Sequence, residues 1–150
     1  MRVVLDTNVL IDGGNDDFSV AAKLINAVIN GEITAVTTSA IEKEYRLKVE
    51  QLVTDEAYKE RLIDFYAAVE QTIPAMVDVQ IDDVEDRKFL KAAVGGKADL
   101  VITADRHLLQ LGEIGSTRIV TAPEAWVILE ETSGSSSEWQ NWLSGLGIGR

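Results

Sequence analysis

The chain opens MRVVLDTNVLID (residues 1–12), and this stretch decides how the rest is read. Residues 2–5 have strand character, and their apolar run Val3-Val4-Leu5 ends abruptly at Asp6. Thr7 and Asn8 follow, and Val9, Leu10 and Ile11 then return to apolar character, as the first turns of a core-packed helix do. A wholly apolar strand that hands straight into a helix is typical of a parallel sheet buried on both faces. An aspartate at that junction stands at the carboxyl end of its strand, where open parallel sheets gather their ligands.

Outward from this stretch the same rhythm repeats. Residues 19–30 predict a helix, with Val20, Leu24, Ile25, Val28 and Ile29 at helical spacing and Gly31 as its stop. Residues 34–37 predict a strand, and Ser39 is expected to cap a helix over 40–51. A further helix is expected over 55–71, a strand over 75–79, and a helix over 83–94 broken by Gly95-Gly96. Residues 100–103 predict a strand, 106–111 a short helix, 118–120 a strand and 123–131 a last helix with proline in its first turn. Strands alternating with helices imply βαβ units and an α/β fold whose parallel sheet is covered on both faces. Residues 1–132 read as one domain, followed over 133–150 by a Ser/Gly hinge (SGSSS, 133–137) and a tail with Trp139, Trp142, Leu143 and Leu146 at helical spacing.

Composition narrows the function classes. With 150 residues, 46% hydrophobic and 26% charged, the chain is long enough for a sizeable core. No run approaches the roughly 20 apolar residues of a membrane span. The start lacks a basic stretch followed by a long apolar one, so no secretory leader is expected and the cytoplasm is the expected compartment. Without cysteine there is no disulfide, thiolate nucleophile or cysteine-based zinc site, and a single histidine disfavours zinc further. The net charge of −11 works against binding phosphates. Yet Arg46, Lys48, Arg87, Lys88, Lys91, Lys97, Arg106 and His107 all lie in the segments that carry the candidate acids. Solvated helix faces are the plain alternative for them.

Four acids are candidates for one site. Asp6 ends the first strand, and Asp105 follows the strand 100–103 by two residues. Glu44 and Asp86 sit in helices next to strands, Asp86 one turn before the core-type pair Phe89-Leu90. Each also has an ordinary explanation: Asp6 and Asp105 as helix N-caps, Glu44 and Asp86 as solvated helix residues. If the four converge, their repulsion calls for a proton or a cation. An all-oxygen donor set suits Mg²⁺ or Mn²⁺, either of which binds a phosphodiester oxygen and activates a water.

The set LDTN (5–8), TSAIEKEY (38–45), DRKFLKAA (86–93) and ADLVITADRHLL (98–109) resembles the PIN domain, in particular the VapC-like toxin ribonucleases of bacterial and archaeal toxin–antitoxin pairs. The resemblance spans about residues 2–131 with the motifs in order. It implies a three-layer α/β/α sandwich around a parallel sheet of about five strands. It also implies that Asp6, Glu44, Asp86 and Asp105 are the catalytic acidic quartet of a Mg²⁺- or Mn²⁺-dependent endoribonuclease. Asn8 and Thr103 would orient carboxylates or bound water, and hydrolysis would leave a 5′-phosphate and a 3′-hydroxyl. Arg46, Lys48, Lys88, Lys91 and Arg106 are candidate contacts to the RNA backbone. A cognate antitoxin and a homodimer are the partners the resemblance implies.

Asp99 begins a strand and is expected at the opposite end of the sheet. Glu42 lies about 200° from Glu44 around a helix, so both cannot point inward. A phosphoacceptor receiver domain would need adjacent acids after the first strand and a lysine after the last, where Thr121-Ala122-Pro123 stands. A phosphatase of the haloacid dehalogenase type would need an aspartate where Asn8 stands. A PIN fold that binds or regulates without turnover is the remaining alternative.

Overall fold

Val3, Val4 and Leu5 are all fully buried, although successive strand residues point to opposite faces of a sheet. The first strand, β1 (Arg2–Leu5), is therefore covered on both sides. The computed structural model describes residues 1–81 and 83–132; the hinge and tryptophan-containing tail expected over 133–150 lie outside them.

After β1 come α1 (Thr7–Gly13), α2 (Val20–Ile29), β2 (Thr34–Thr37), α3 (Ser39–Leu52), α4 (Glu56–Ala68) and β3 (Glu70–Gln71). Then follow α5 (Val84–Gly95), β4 (Leu100–Ile102), α6 (Arg106–Leu111), β5 (Glu113–Ile114), β6 (Thr117–Val120) and α7 (Ala122–Thr132). The sheet order is β3-β2-β1-β4-β6-β5. Five strands run parallel, with Val3 opposite Ala35 on one side and Leu100 on the other, and the short β5 pairs antiparallel with β6. This is the expected α/β architecture around a five-strand parallel sheet, with one antiparallel hairpin strand added at an edge. Helix α5 packs on β1, β2 and β4, while α7 packs on β4 and α2.

Side-chain caps start most helices. Ser19 accepts from the Ala22 amide at 3.1 Å and Asp55 from the Ala57 amide at 3.0 Å. Three local expectations need correction. Thr38, not Ser39, caps α3: its backbone is extended, its hydroxyl accepts from the Ile41 amide at 3.4 Å, and Ser39 is already helical. Helix α4 stops at Ala68 because Val69 turns extended, which frees Glu70 and Gln71 to pair with Val36 and Thr37.

The strand expected over 75–79 is not a strand. Ala75, Val77, Val79 and Ile81 are half-buried and Met76, Asp78 and Gln80 exposed, so the alternation is real. It reports a strap laid along α5, not a ladder. The Ala75 amide donates to the Lys91 carbonyl at 3.0 Å and Arg87 Nη2 to the Val79 carbonyl at 3.3 Å. The strap lies so close that a Cβ at Gly95 would collide with the Ile73 carbonyl oxygen.

A candidate metal centre at the carboxyl edge of the sheet

From β1 the chain crosses to β2 on one side and later returns through β4 on the other. The connections diverge there, so a crevice opens beyond the carboxyl ends of β1 and β4. Asp6 and Asp105 stand at its two lips. The Asp6 amide still donates to the Ile102 carbonyl at 2.9 Å, so the last rung of the β1–β4 ladder fixes this residue rigidly. Its side chain is buried and caps α1, accepting from the Asn8 amide at 3.4 Å. Asp105 likewise caps α6 through the His107 amide at 2.8 Å. The capping role and the place at the crevice thus coincide in both aspartates.

The other two acids arrive on helices. Ile41, Tyr45 and Val49 form the buried stripe of α3, and the Tyr45 hydroxyl donates to the Leu5 carbonyl, tying α3 to the end of β1. Glu44, beside Tyr45, is thereby carried to the crevice, where the Thr7 hydroxyl and Lys88 Nζ (2.6 Å) donate to its two oxygens. On α5, burial of Phe89, Leu90, Ala92 and Ala93 turns Asp86 towards the same place.

Asp6, Glu44, Asp86 and Asp105 all line one cavity of about 250 Å³, together with Thr7, Asn8, Ile11, Lys48, Leu52, Asp83, Glu85 and Phe89. Thr103 lies behind it and donates its hydroxyl to Asp6 Oδ2 at 2.6 Å. Lys48 alone of the five candidate RNA-contacting residues lines the cavity. Arg46 stacks 4.2 Å from the centre of the Tyr66 ring and pairs with Glu42 on another surface. Lys88 is held by Glu44 and Glu85, and Arg106 is exposed beside Asp105. Lys91 does not line the cavity either; its carbonyl anchors the strap. Glu42 faces Arg46 and Gln71, away from the cavity, and Asp99 accepts from the Arg2 amide at the opposite end of the sheet.

Asp83 and Glu85 were not singled out by sequence. Asp83 carries a readable signal as the N-cap of α5, accepting from the Glu85 amide at 2.9 Å, but a cap alone does not indicate a cavity.

The electrostatics show where repulsion collects. Burial pushes the Asp6 carboxyl up, and the Thr103 hydrogen bond partly offsets this. Asp86 is pushed up to about 6, first by burial and then by Asp105, with Asp83 and Asp6 adding to it. Its Oδ2 is buried and has no hydrogen-bond partner among the described residues. Among the described residues no three acidic or histidine side chains are already gathered as a set that could hold an ion. The acidic groups lining the cavity are nonetheless carboxylates, joined by the oxygens of Thr7 and Asn8, and an all-oxygen set of that charge fits a hard divalent cation.

No curated protein matches this sequence. In fold the chain is similar to VapBC2 from Rickettsia felis, whose crystal structure is bound to a DNA fragment from their promoter. The likeness has a TM-score of 0.53 and 14% identity, and covers 79% of this chain and 97% of that one; it speaks for the fold. A family model described as PIN domain matches residues 2–107, a span that holds all four crevice carboxylates, and the chain belongs to the PIN domain family.

Proposed function

We propose that this PIN domain is a divalent-metal-dependent endoribonuclease, the toxin of a toxin–antitoxin pair. The observation that carries the proposal is Asp86: a buried, unpartnered carboxylate oxygen facing like charges at the carboxyl edge of a parallel sheet. A cluster of that kind is costly unless a cation or a proton relieves it.

In this reading Asp6, Glu44, Asp86 and Asp105 hold Mg²⁺ or Mn²⁺. The bound ion supplies Lewis-acid polarisation of a phosphate and an activated water. Thr103 fixes the orientation of Asp6, and Asn8 stands at the rim. Lys48 meets the phosphate charge from inside the cavity, and Arg106 and Lys91 contact the backbone further out. No side chain attacks the phosphate; water does, leaving a 5′-phosphate and a 3′-hydroxyl.

An antitoxin and a homodimer belong to the same proposal, in the cytoplasm. Support for the antitoxin comes from the fold neighbour, which is the VapBC2 complex. A basic side chain of such a partner would compete with the cation for the acidic cavity.

The test is cleavage of a mixed RNA pool with Mn²⁺ or Mg²⁺, with EDTA, and with Asp105→Asn. Products that require the metal and vanish in the variant are expected; products that persist in EDTA would overturn the proposal. The net charge of −11 favours a second reading, a PIN fold that binds without turnover. Mn²⁺ binding with no cleavage of any RNA in the pool is its signature.

A further inference from the structure

The four crevice carboxylates are not equivalent. Glu44 has both oxygens engaged, Oε1 by Lys88 Nζ at 2.6 Å and Oε2 by the Thr7 hydroxyl. Asp86 has a buried oxygen with no hydrogen-bond partner among the described residues. Asp6 and Asp105 meet only neutral donors: a hydroxyl and a backbone amide for Asp6, a backbone amide for Asp105.

Lys88 itself is not a loose surface lysine. Its side chain is 17% exposed, Glu85 holds it at 2.8 Å, and its ammonium lies 5.5 Å from the centre of the Phe89 ring. It reaches from α5, the helix of Asp86, to α3, the helix of Glu44, and so joins two walls of the cavity without lining it. Lys48, in contrast, lines the cavity and is in no ion pair among the described residues.

We infer that Lys88 is the resident counter-cation of Glu44. It divides the quartet into an open group of three aspartates, Asp6, Asp86 and Asp105, and a glutamate whose charge Lys88 already offsets. The inference rests on the reading of this cavity as a cation site. Each carboxylate oxygen has two lone pairs, so an ion can meet Glu44 beside Lys88, but the ammonium and the ion repel one another across the shared carboxylate, and Lys88 thereby weakens the ion's hold. Lys88 is a positioning residue here: it sets the affinity for the ion and the place of Glu44, and does not touch the substrate.

A double-mutant cycle read by calorimetric titration with Mn²⁺ alone tests this. The proteins are wild type, Lys88→Gln, Glu44→Gln and the double variant, with Lys88→Arg as the charge-conserving control, each shown folded by its urea transition. Lys88→Gln is expected to tighten Mn²⁺ binding about tenfold in the Glu44 background and less than about twofold in the Glu44→Gln background. Lys88→Arg stays within about twofold of wild type. No tightening in Lys88→Gln overturns the inference. Equal tightening in both backgrounds also overturns it, because Lys88 would then act only through its general field. Absence of Mn²⁺ binding in every protein, wild type included, overturns the cation-site reading itself, and the inference falls with it.

Discussion

One hydroxyl links the two strand-end aspartates. Thr103 Oγ1 donates to Asp6 Oδ2 at 2.6 Å and accepts from the Asp105 amide at 2.9 Å, so β1 and β4 are joined at their tips through a single buried side chain. Thr103→Val keeps the shape and removes the hydroxyl, leaving a buried carboxylate oxygen and an amide without their partner. A loss of about 1–3 kcal/mol of stability is expected, measured by urea denaturation. The same change removes what lowers the Asp6 carboxyl. The acidic limb of any metal-dependent activity should therefore move to higher pH.

Asp86 makes stability depend on pH in a defined direction. Its folded-state value of about 6 lies above the ordinary 3.8. A raised carboxyl favours folding while protonated, and the benefit is complete below about 4 and lost as pH rises through 6. Asp86→Asn should therefore raise Tm by a few degrees at pH 8, or about 1 kcal/mol after solvent screening, and by nothing at pH 4. Thermal scans at the two pH values check this. An equal gain at both would mean that charge is not the cause.

Because Asp105 is at once a helix cap and a wall of the cavity, asparagine and alanine separate its two functions. Asparagine caps as well as aspartate does, whereas alanine loses the bond to the His107 amide. Both variants should lose metal-dependent cleavage. Only Asp105→Ala should lose about 0.5–2 kcal/mol relative to Asp105→Asn in chemical denaturation.

Much of this geometry was legible in the sequence, through two local rules. Asp6 and Asp105 stand where an apolar strand meets a helix start, and that junction is both a cap position and the ligand edge of a parallel sheet. The roughly 200° between Glu42 and Glu44 around α3 lets only one of them face the crevice, and the resemblance of the motif, not the phase of the buried stripe, picks Glu44. What was not legible is tertiary or too short. Glu70–Gln71 and Glu113–Ile114 carry no periodicity to read. The alternation over 75–81 reports half-burial against a helix as faithfully as it would report a ladder. The Lys88–Glu44 pair joins residues 44 apart in the chain and exists only once α3 and α5 pack.

The strap over α5 depends on a residue with no side chain. A Cβ at Gly95 would strike the backbone of Ile73 and press on Ala75, neither of which can rotate away. Gly95→Ala should lift residues 73–75 from the helix, at a cost of about 1–3 kcal/mol. Limited proteolysis should show faster cutting within 73–81. An unchanged digestion pattern would show that the contact relaxes without displacing the strap.

The two outermost strands have a consequence for how copies of this chain meet. Each is two residues long and carries a glutamate, Glu70 in β3 and Glu113 in β5. Beyond β5 the chain turns back at once through Gly115, which takes a positive φ of 57°. Margins so short and charged offer little template on which a foreign strand can add, and they guard against fibrillar stacking. Exposed apolar side chains among the described residues, Leu47, Ile63 and Val127, lie instead on the outer surfaces of the helices. A contact between copies through those helices would leave the sheet at the six strands of the described residues.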